Sequence, residues 1–194
     1  MFSFLKKFKK SSRPRCAALV AAAGSSSRMG GVNKLLQPLD GIPVLARTLM
    51  ALQNARGIDE IIVATREDGI VEISELCHTY GITKCTKVVR GGENRAHSVM
   101  LAAMETTAEL LAVHGGARPL VKPEMIDELV TAAYRCGAVA PAVPLKDTIK
   151  TVRDGGAVGH TLDRDALRAV QTPQVFEAGL LKGALQSALE NHVA

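Results

Sequence analysis

At 194 residues, with 47% apolar and 22% charged side chains, the chain has the make-up of one soluble domain with a sizeable core. Aromatics are only 3% and Trp is absent, so the core must be built from Ala, Val, Leu and Ile, which suits a helix-covered α/β sheet better than an aromatic-rich sandwich. The net charge of +5 does not mark a nucleic-acid binder: Lys6, Lys7, Lys9, Lys10, Arg13 and Arg15 lie in residues 1–15 with no acid among them, and setting those six aside leaves 18 basic against 19 acidic residues on the body.

Residues 1–15 form a basic extension outside the domain, which occupies residues 16–194. Phe2, Phe4 and Phe8 are three of the four Phe in the chain, and Met1, Phe4, Leu5 and Phe8 share one helical face. Two readings stand side by side. One is a disordered soluble extension ending at Ser11-Ser12-Arg13-Pro14; the other is a short amphipathic anchor for an anionic membrane surface. The segment is too short for a signal peptide, and no apolar run reaches transmembrane length. Cys16, Cys77, Cys85 and Cys136 have no metal-ligand spacing and read as free thiols in a reducing cytoplasm, where the chain is placed.

From residue 16 the chain alternates strand, loop and helix. Residues 16–22 are a continuous apolar run, as in a strand buried on both faces. A polar, Gly-rich stretch from Gly24 to Asn33 follows, and then a helix over 43–55 with Leu45, Leu49 and Leu52 on one side. Residues 60–64 read as a strand, 67–80 as a helix capped at Gly81, and 86–89 as a third strand running into Gly91-Gly92. A helix is expected over 95–109, a strand over 110–114 closed by Gly115-Gly116, and a helix from Pro123 to Gly137. Residues 139–144 read as a fifth strand or edge segment, 147–164 as a protruding β-hairpin arm, and 177–191 as a last helix. The alternation predicts a doubly wound, mostly parallel, Rossmann-like sheet with right-handed crossovers. Ligands of such sheets bind at the carboxyl ends of strands, which directs attention to the loops after residues 22, 90 and 114.

The first of these loops, Ala21-Ala22-Ala23-Gly24-Ser25-Ser26-Ser27-Arg28-Met29-Gly30, has the small residues that let backbone amides approach an anion. Arg28 and Lys34 add fixed positive charge. Neither GxxxxGK[ST] nor GxGxxG is present, so this is neither a P-loop nor a dinucleotide fingerprint. Taken alone, the loop is either a phosphate cradle or an ordinary strand-to-helix loop with solvated cations.

The wording Ala-Ala-Gly-x-x-x-Arg-Met-Gly with Lys34 downstream resembles the signature of sugar-nucleotide pyrophosphorylases and related nucleotidyltransferases. Further segments narrow the resemblance. They are Gly91-Gly92-Glu93-Asn94-Arg95-Ala96-His97-Ser98-Val99, Val113-His114-Gly115-Gly116-Ala117-Arg118-Pro119-Leu120-Val121, residues 141–150, Thr161-Leu162-Asp163-Arg164, and Val170-Gln171-Thr172-Pro173-Gln174-Val175-Phe176. Together, in this order over about residues 16–190, they resemble the 2-C-methyl-D-erythritol 4-phosphate cytidylyltransferases of isoprenoid precursor biosynthesis, with ribitol-5-phosphate cytidylyltransferases as the neighbouring branch.

The resemblance implies transfer of CMP from CTP to a polyol phosphate with release of pyrophosphate. It implies that Ala22, Ala23, Gly24, Ser25 and Ser26 line the triphosphate, with Arg28 and Lys34 as the catalytic cations. Gly91, Arg95 and Ser98 would frame the cytosine, Ser98 bonding the base edge, and Gly116 would face the ribose. Arg118 would grip the acceptor phosphate together with Thr148 and Arg164 of the partner subunit, whose arm would swap across a homodimer. On the residues alone, Arg95 and Ser98 are also readable as an exposed arginine and a helix-start serine. Arg118-Pro119 is likewise readable as a turn, Thr148 and Arg164 as hairpin positions, and His114 as a strand-end packing residue.

Two departures from the pattern bear on Mg²⁺, the cofactor the resemblance implies. Gly115 stands where the family carries a metal-holding Asp, and His97 stands where relatives usually carry Asp. The family's further acidic motif and late lysine would follow Ala194, so no metal ligand set and weak turnover are expected. A catalytically impaired nucleotide binder, a dimer scaffold, and a membrane-associated module acting through the basic extension remain the alternatives to an active enzyme.

Overall fold

A computed structural model describes residues 13–24 and 33–191. The two readings of residues 1–12, and the roles expected of Ser25, Ser26 and Arg28, lie outside the described residues.

Six strands form the central sheet. β1 (Cys16–Ala21) is followed by a small hairpin, β2 (Pro38–Leu39) and β3 (Ile42–Pro43), and then by helix α1 (Val44–Asn54). Next come β4 (Glu60–Thr65), α2 (Ile70–Thr79), β5 (Cys85–Arg90), α3 (Arg95–Met104), β6 (Leu110–Gly115) and α4 (Pro123–Cys136). β7 (Ala138–Val139), β8 (Ala142–Pro144), β9 (Lys150–Val152), β10 (Val158–Thr161), β11 (Arg168–Val170), β12 (Gln174–Glu177) and α5 (Ala178–Glu190) complete the chain. The sheet order is β5-β4-β1-β6-β12-β7; the first four strands run parallel, and β12 pairs antiparallel with both β6 and β7.

β1 shows why the sheet is buried on both sides. Cys16, Ala18 and Val20 point into one apolar layer with Leu45, Leu49, Leu52, Ile73 and Ile126, which come from α1, α2 and α4. Ala17 and Leu19 point into the other layer with Val99, Ala102 and Leu181, from α3 and α5. This period-two division of an all-apolar strand produces the three-layer α/β/α architecture expected from the sequence. Each fully buried leucine contributes roughly 1.5–3 kcal/mol of transfer free energy. Gly137, with φ of 80°, ends α4 in the left-handed conformation that a residue with a Cβ adopts only at a cost. All four cysteines are free, and burial pushes the Cys16 thiol up to about 12.

Three local expectations are corrected. The helix expected over 95–109 stops at Met104, because the Thr106 side chain competes with the helix: its hydroxyl donates to the buried Glu60 carboxylate and accepts the Ala108 amide at 3.0 Å. The segment 139–144 is not one strand. β7 joins the main sheet, whereas β8 pairs with β11 in a separate ribbon. The arm is therefore longer than the expected hairpin of 147–164. The β8–β11 ribbon forms its base and the β9–β10 pair its tip, with the turn at Asp154–Gly156 using positive φ at Gly155 and Gly156. Val152 and Val158 face each other across the tip, 71% and 67% exposed.

Candidate active site

β1 and β6 are neighbours, yet the chain leaves β1 toward β4 and arrives at β6 from β5 by way of α3. The strand order reverses between them, which opens a crevice outside their carboxyl ends. A cavity of about 730 Å³ lies there. Ala22, Ala23 and Gly24 after β1 line it, with Lys34 and Leu35; Gly92, Arg95 and Ser98 line it from the start of α3, and Gly115, Gly116 and Arg118 from the end of β6. Gly91 lines an adjoining cavity of about 640 Å³ that shares Ala23 and Gly92 with the first.

The loops around the mouth are fixed by backbone bonds. Gly91 donates its amide to the Thr65 carbonyl at 2.6 Å, and Gly116 donates to the Ala21 carbonyl at 3.0 Å. Asn94 caps α3, its side chain accepting the His97 amide at 2.8 Å. Close packing demands glycine at two places: a Cβ on Gly91 would lie 2.7 Å from the Ala23 Cβ, and one on Gly92 would run into the His97 ring. The loop after β1 and the loop after β5 thus touch through a side chain that is not there.

The family model for 2-C-methyl-D-erythritol 4-phosphate cytidylyltransferase (IspD) matches residues 16–194. The protein of that name from Dehalococcoides mccartyi strain 195 is 42% identical over 172 residues, covering 88% of this chain and 75% of its own. Its counterpart from Alkaliphilus metalliredigens is 41% identical over 179 residues, covering 90% and 74%. This chain belongs to the 2-C-methyl-D-erythritol 4-phosphate cytidylyltransferase family. Among solved structures, the 4-diphosphocytidyl-2C-methyl-D-erythritol synthase of Anaerococcus prevotii superposes with a TM-score of 0.78 at 29% identity, covering 91% of this chain and 76% of that one. The cytidylyltransferase of Thermus thermophilus gives 0.72 at 28% identity, with 92% and 78% covered.

Against that family, the cavity brings together Ala22, Ala23, Gly24, Lys34, Arg95, Ser98, Gly116 and Arg118 from segments far apart in sequence. Not all of them present the groups expected. The Ala22 amide is donated to the Ala64 carbonyl at 2.8 Å, so it is committed to the sheet and not to a phosphate. Ser98 is 2% exposed; its hydroxyl accepts the Gly92 amide at 3.0 Å and donates to the Asn94 carbonyl at 2.8 Å. It acts as a staple between the Gly91-Gly92 loop and α3, with its hydrogen already given away. Gly116 has its amide on Ala21 and its carbonyl on the Thr48 hydroxyl at 2.9 Å, and a Cβ there would press on Leu45 and Leu35. Thr148 and Arg164 do not line the cavity of their own chain; both are exposed on the arm, where Arg164 donates to the Lys146 carbonyl at 3.3 Å.

Positive charge dominates the lining. Burial lowers the pKa of Arg95, and the neighbouring Arg118 lowers it further. A guanidinium such as that of Arg95, disfavoured by burial and by a like-charged neighbour, gains by binding an anion. Arg118 is steered from beneath, its Nη1 donating to the Gln171 side-chain oxygen at 3.2 Å. His114 is wholly buried, and burial pushes its pKa down to about 4, so the ring is neutral at physiological pH. That agrees with a packing residue and not a base.

Among the described residues, no three His, Cys, Asp or Glu side chains come together, and Glu93 is the one carboxylate that lines the main cavity.

Sequence reasoning missed Thr48, Asn94, Gln171 and Thr172. Asn94 was discoverable as a capping residue directly before a helix. Gln171 and Thr172 lay inside a recognised motif, but their partners come from β6 and the loop after it. Thr48 gave no signal, since a mid-helix Thr reveals nothing of a carbonyl 68 residues away.

Proposed function

We propose that this protein transfers CMP from CTP to 2-C-methyl-D-erythritol 4-phosphate and releases pyrophosphate. One observation carries the reading. The cavity at the switch point gathers Gly24, Lys34, Gly92, Arg95, Gly116 and Arg118, which come from the segments whose wording resembles the family's, within the residues 16–194 that the family model matches.

The chemistry follows from the charges. A phosphate oxygen of the acceptor attacks the α-phosphorus of CTP, and the bond from that phosphorus to the oxygen bridging to the β-phosphorus breaks. The electron pair leaves with pyrophosphate. The acceptor phosphate is already anionic, so no side-chain base is required, in keeping with the neutral His114. Lys34 neutralises the leaving group together with Arg28, and their positive charge stabilises the charge that grows there. The tight Gly91–Gly92 turn, held by Ser98, leaves a slot for the flat cytosine, bounded by Arg95. Arg118 holds the acceptor phosphate, joined by Thr148 and Arg164 of the partner subunit across a homodimer. The exposed arm supports that arrangement, since its valine pair has no cover within its own chain.

The test is pyrophosphate release from CTP with purified protein. Release with 2-C-methyl-D-erythritol 4-phosphate, but not with ribitol 5-phosphate or with ATP in place of CTP, supports the proposal. Release that is equal with ribitol 5-phosphate, or absent from an assay in which CTP binds, rejects it.

A further inference from the structure

We infer that the cavity of this 194-residue chain binds its nucleoside triphosphate through its own cations, without a divalent ion held by the protein. The inference rests on the reading of the cavity as a CTP site. Three observations carry it.

The first is position 115. Gly115 lines the cavity at the end of β6, and its backbone does not need glycine, because a Cβ there would meet only ordinary contacts. The nearest of these are the Arg118 Cδ at 3.4 Å and Nε at 3.5 Å. The arginine stem lies beside the space a side chain at 115 would enter, so a cationic side chain borders the place where a metal-holding carboxylate would sit.

The second is the balance of charge. Lys34, Arg95 and Arg118 line the cavity against one acid, Glu93. A triphosphate stripped of its cation carries the larger negative charge and satisfies these groups better than one already neutralised.

The third concerns what else the chain can supply. Residues 25–32, which follow Gly24 directly, contain no His, Cys, Asp or Glu. Residues 1–12 also lack such groups. Hard divalent cations need several oxygen ligands, and one glutamate does not make a site.

The experiment is calorimetric titration of CTP into the full chain, in excess EDTA and in excess MgCl₂, for the natural sequence and for Gly115→Asp. Dissociation constants for the natural chain that agree within about threefold, or that are tighter in EDTA, support the inference. Gly115→Asp should then create a cation preference, with CTP binding about tenfold tighter in MgCl₂ than in EDTA. Binding by the natural chain that weakens tenfold or more in EDTA overturns the inference and leaves the CTP site standing, at about 1.4 kcal/mol per factor of ten. No CTP binding in either buffer overturns the CTP site itself, and the inference with it. A second readout needs no nucleotide: Mn²⁺ added to the chain alone should raise water-proton relaxation no more than Mn²⁺ in buffer, and enhancement by the protein counts against the inference.

Discussion

The ring of His114 and the carbonyl of Arg118 are joined by a hydrogen bond of 3.2 Å from Nε2, four residues apart across the turn that ends β6. The other ring nitrogen, Nδ1, accepts from the Thr172 hydroxyl at 2.8 Å, and the neighbouring Gln171 holds the Arg118 guanidinium. One neutral imidazole thus ties the turn carrying Arg118 to the segment leading into β12. His114→Gln keeps a donor near the Nε2 position, whereas His114→Ala removes both bonds and leaves a cavity. We expect His114→Ala to raise the KM for the acceptor about tenfold with little change in the CTP dissociation constant, and His114→Gln to recover most of the loss. Equal weakening of both ligands would point to a general structural role instead.

The same residue predicts a pH dependence of stability. The folded-state pKa of His114 is depressed to about 4, below the ordinary 6.5, so the unfolded chain binds the extra proton between these values. The stability contributed by the neutral ring is fully present above pH 6.5 and is lost as pH falls toward 4, amounting to as much as about 3 kcal/mol. Thermal denaturation should show a falling Tm across that window, and the His114→Gln chain should show a flatter profile. Parallel profiles would refute the assignment.

Glycine positions separate shape from backbone freedom. At Gly91 an added methyl must push against Ala23 and the Ser98 hydroxyl, at 2.7 and 2.9 Å, whereas at Gly115 it meets nothing closer than 3.4 Å. Gly91→Ala should therefore cost about 1–3 kcal/mol of stability and weaken CTP binding, and Gly115→Ala should be close to neutral in stability. Denaturant titrations of the two variants side by side decide the matter.

How far the sequence speaks differs from one part of the molecule to another. β1 was legible because six small or apolar residues in a row admit only a doubly buried strand, and α1 because Leu45, Leu49 and Leu52 repeat at helical spacing. The cavity was legible because its walls are the loops that a doubly wound sheet places at its carboxyl ends. What remained hidden depends on partners distant in sequence. The early end of α3 follows from Glu60 meeting Thr106, and the engagement of the Ser98 hydroxyl follows from how the Gly91-Gly92 loop folds back. β7 and β8 read as one strand because the pattern of residues 139–144 holds nothing that assigns them to different sheets.

Thr48 shows how such a hidden partner supports the site. Its side chain is fully buried, and the hydroxyl bonds the Gly116 carbonyl at 2.9 Å as well as the Val44 carbonyl at 3.0 Å. Thr48→Val keeps the shape but leaves the Gly116 carbonyl without that donor, at a cost of about 1–3 kcal/mol. The loss should extend beyond stability, because Gly116 packs on Leu35, the neighbour of Lys34, and its amide holds the end of β1. We expect thermal unfolding several degrees lower and a reduced CTP affinity, whereas Thr48→Ser retains the bond and most of the binding. A Thr48→Val chain that binds CTP as tightly as the natural one would show that the Gly116 turn holds its position without this bond.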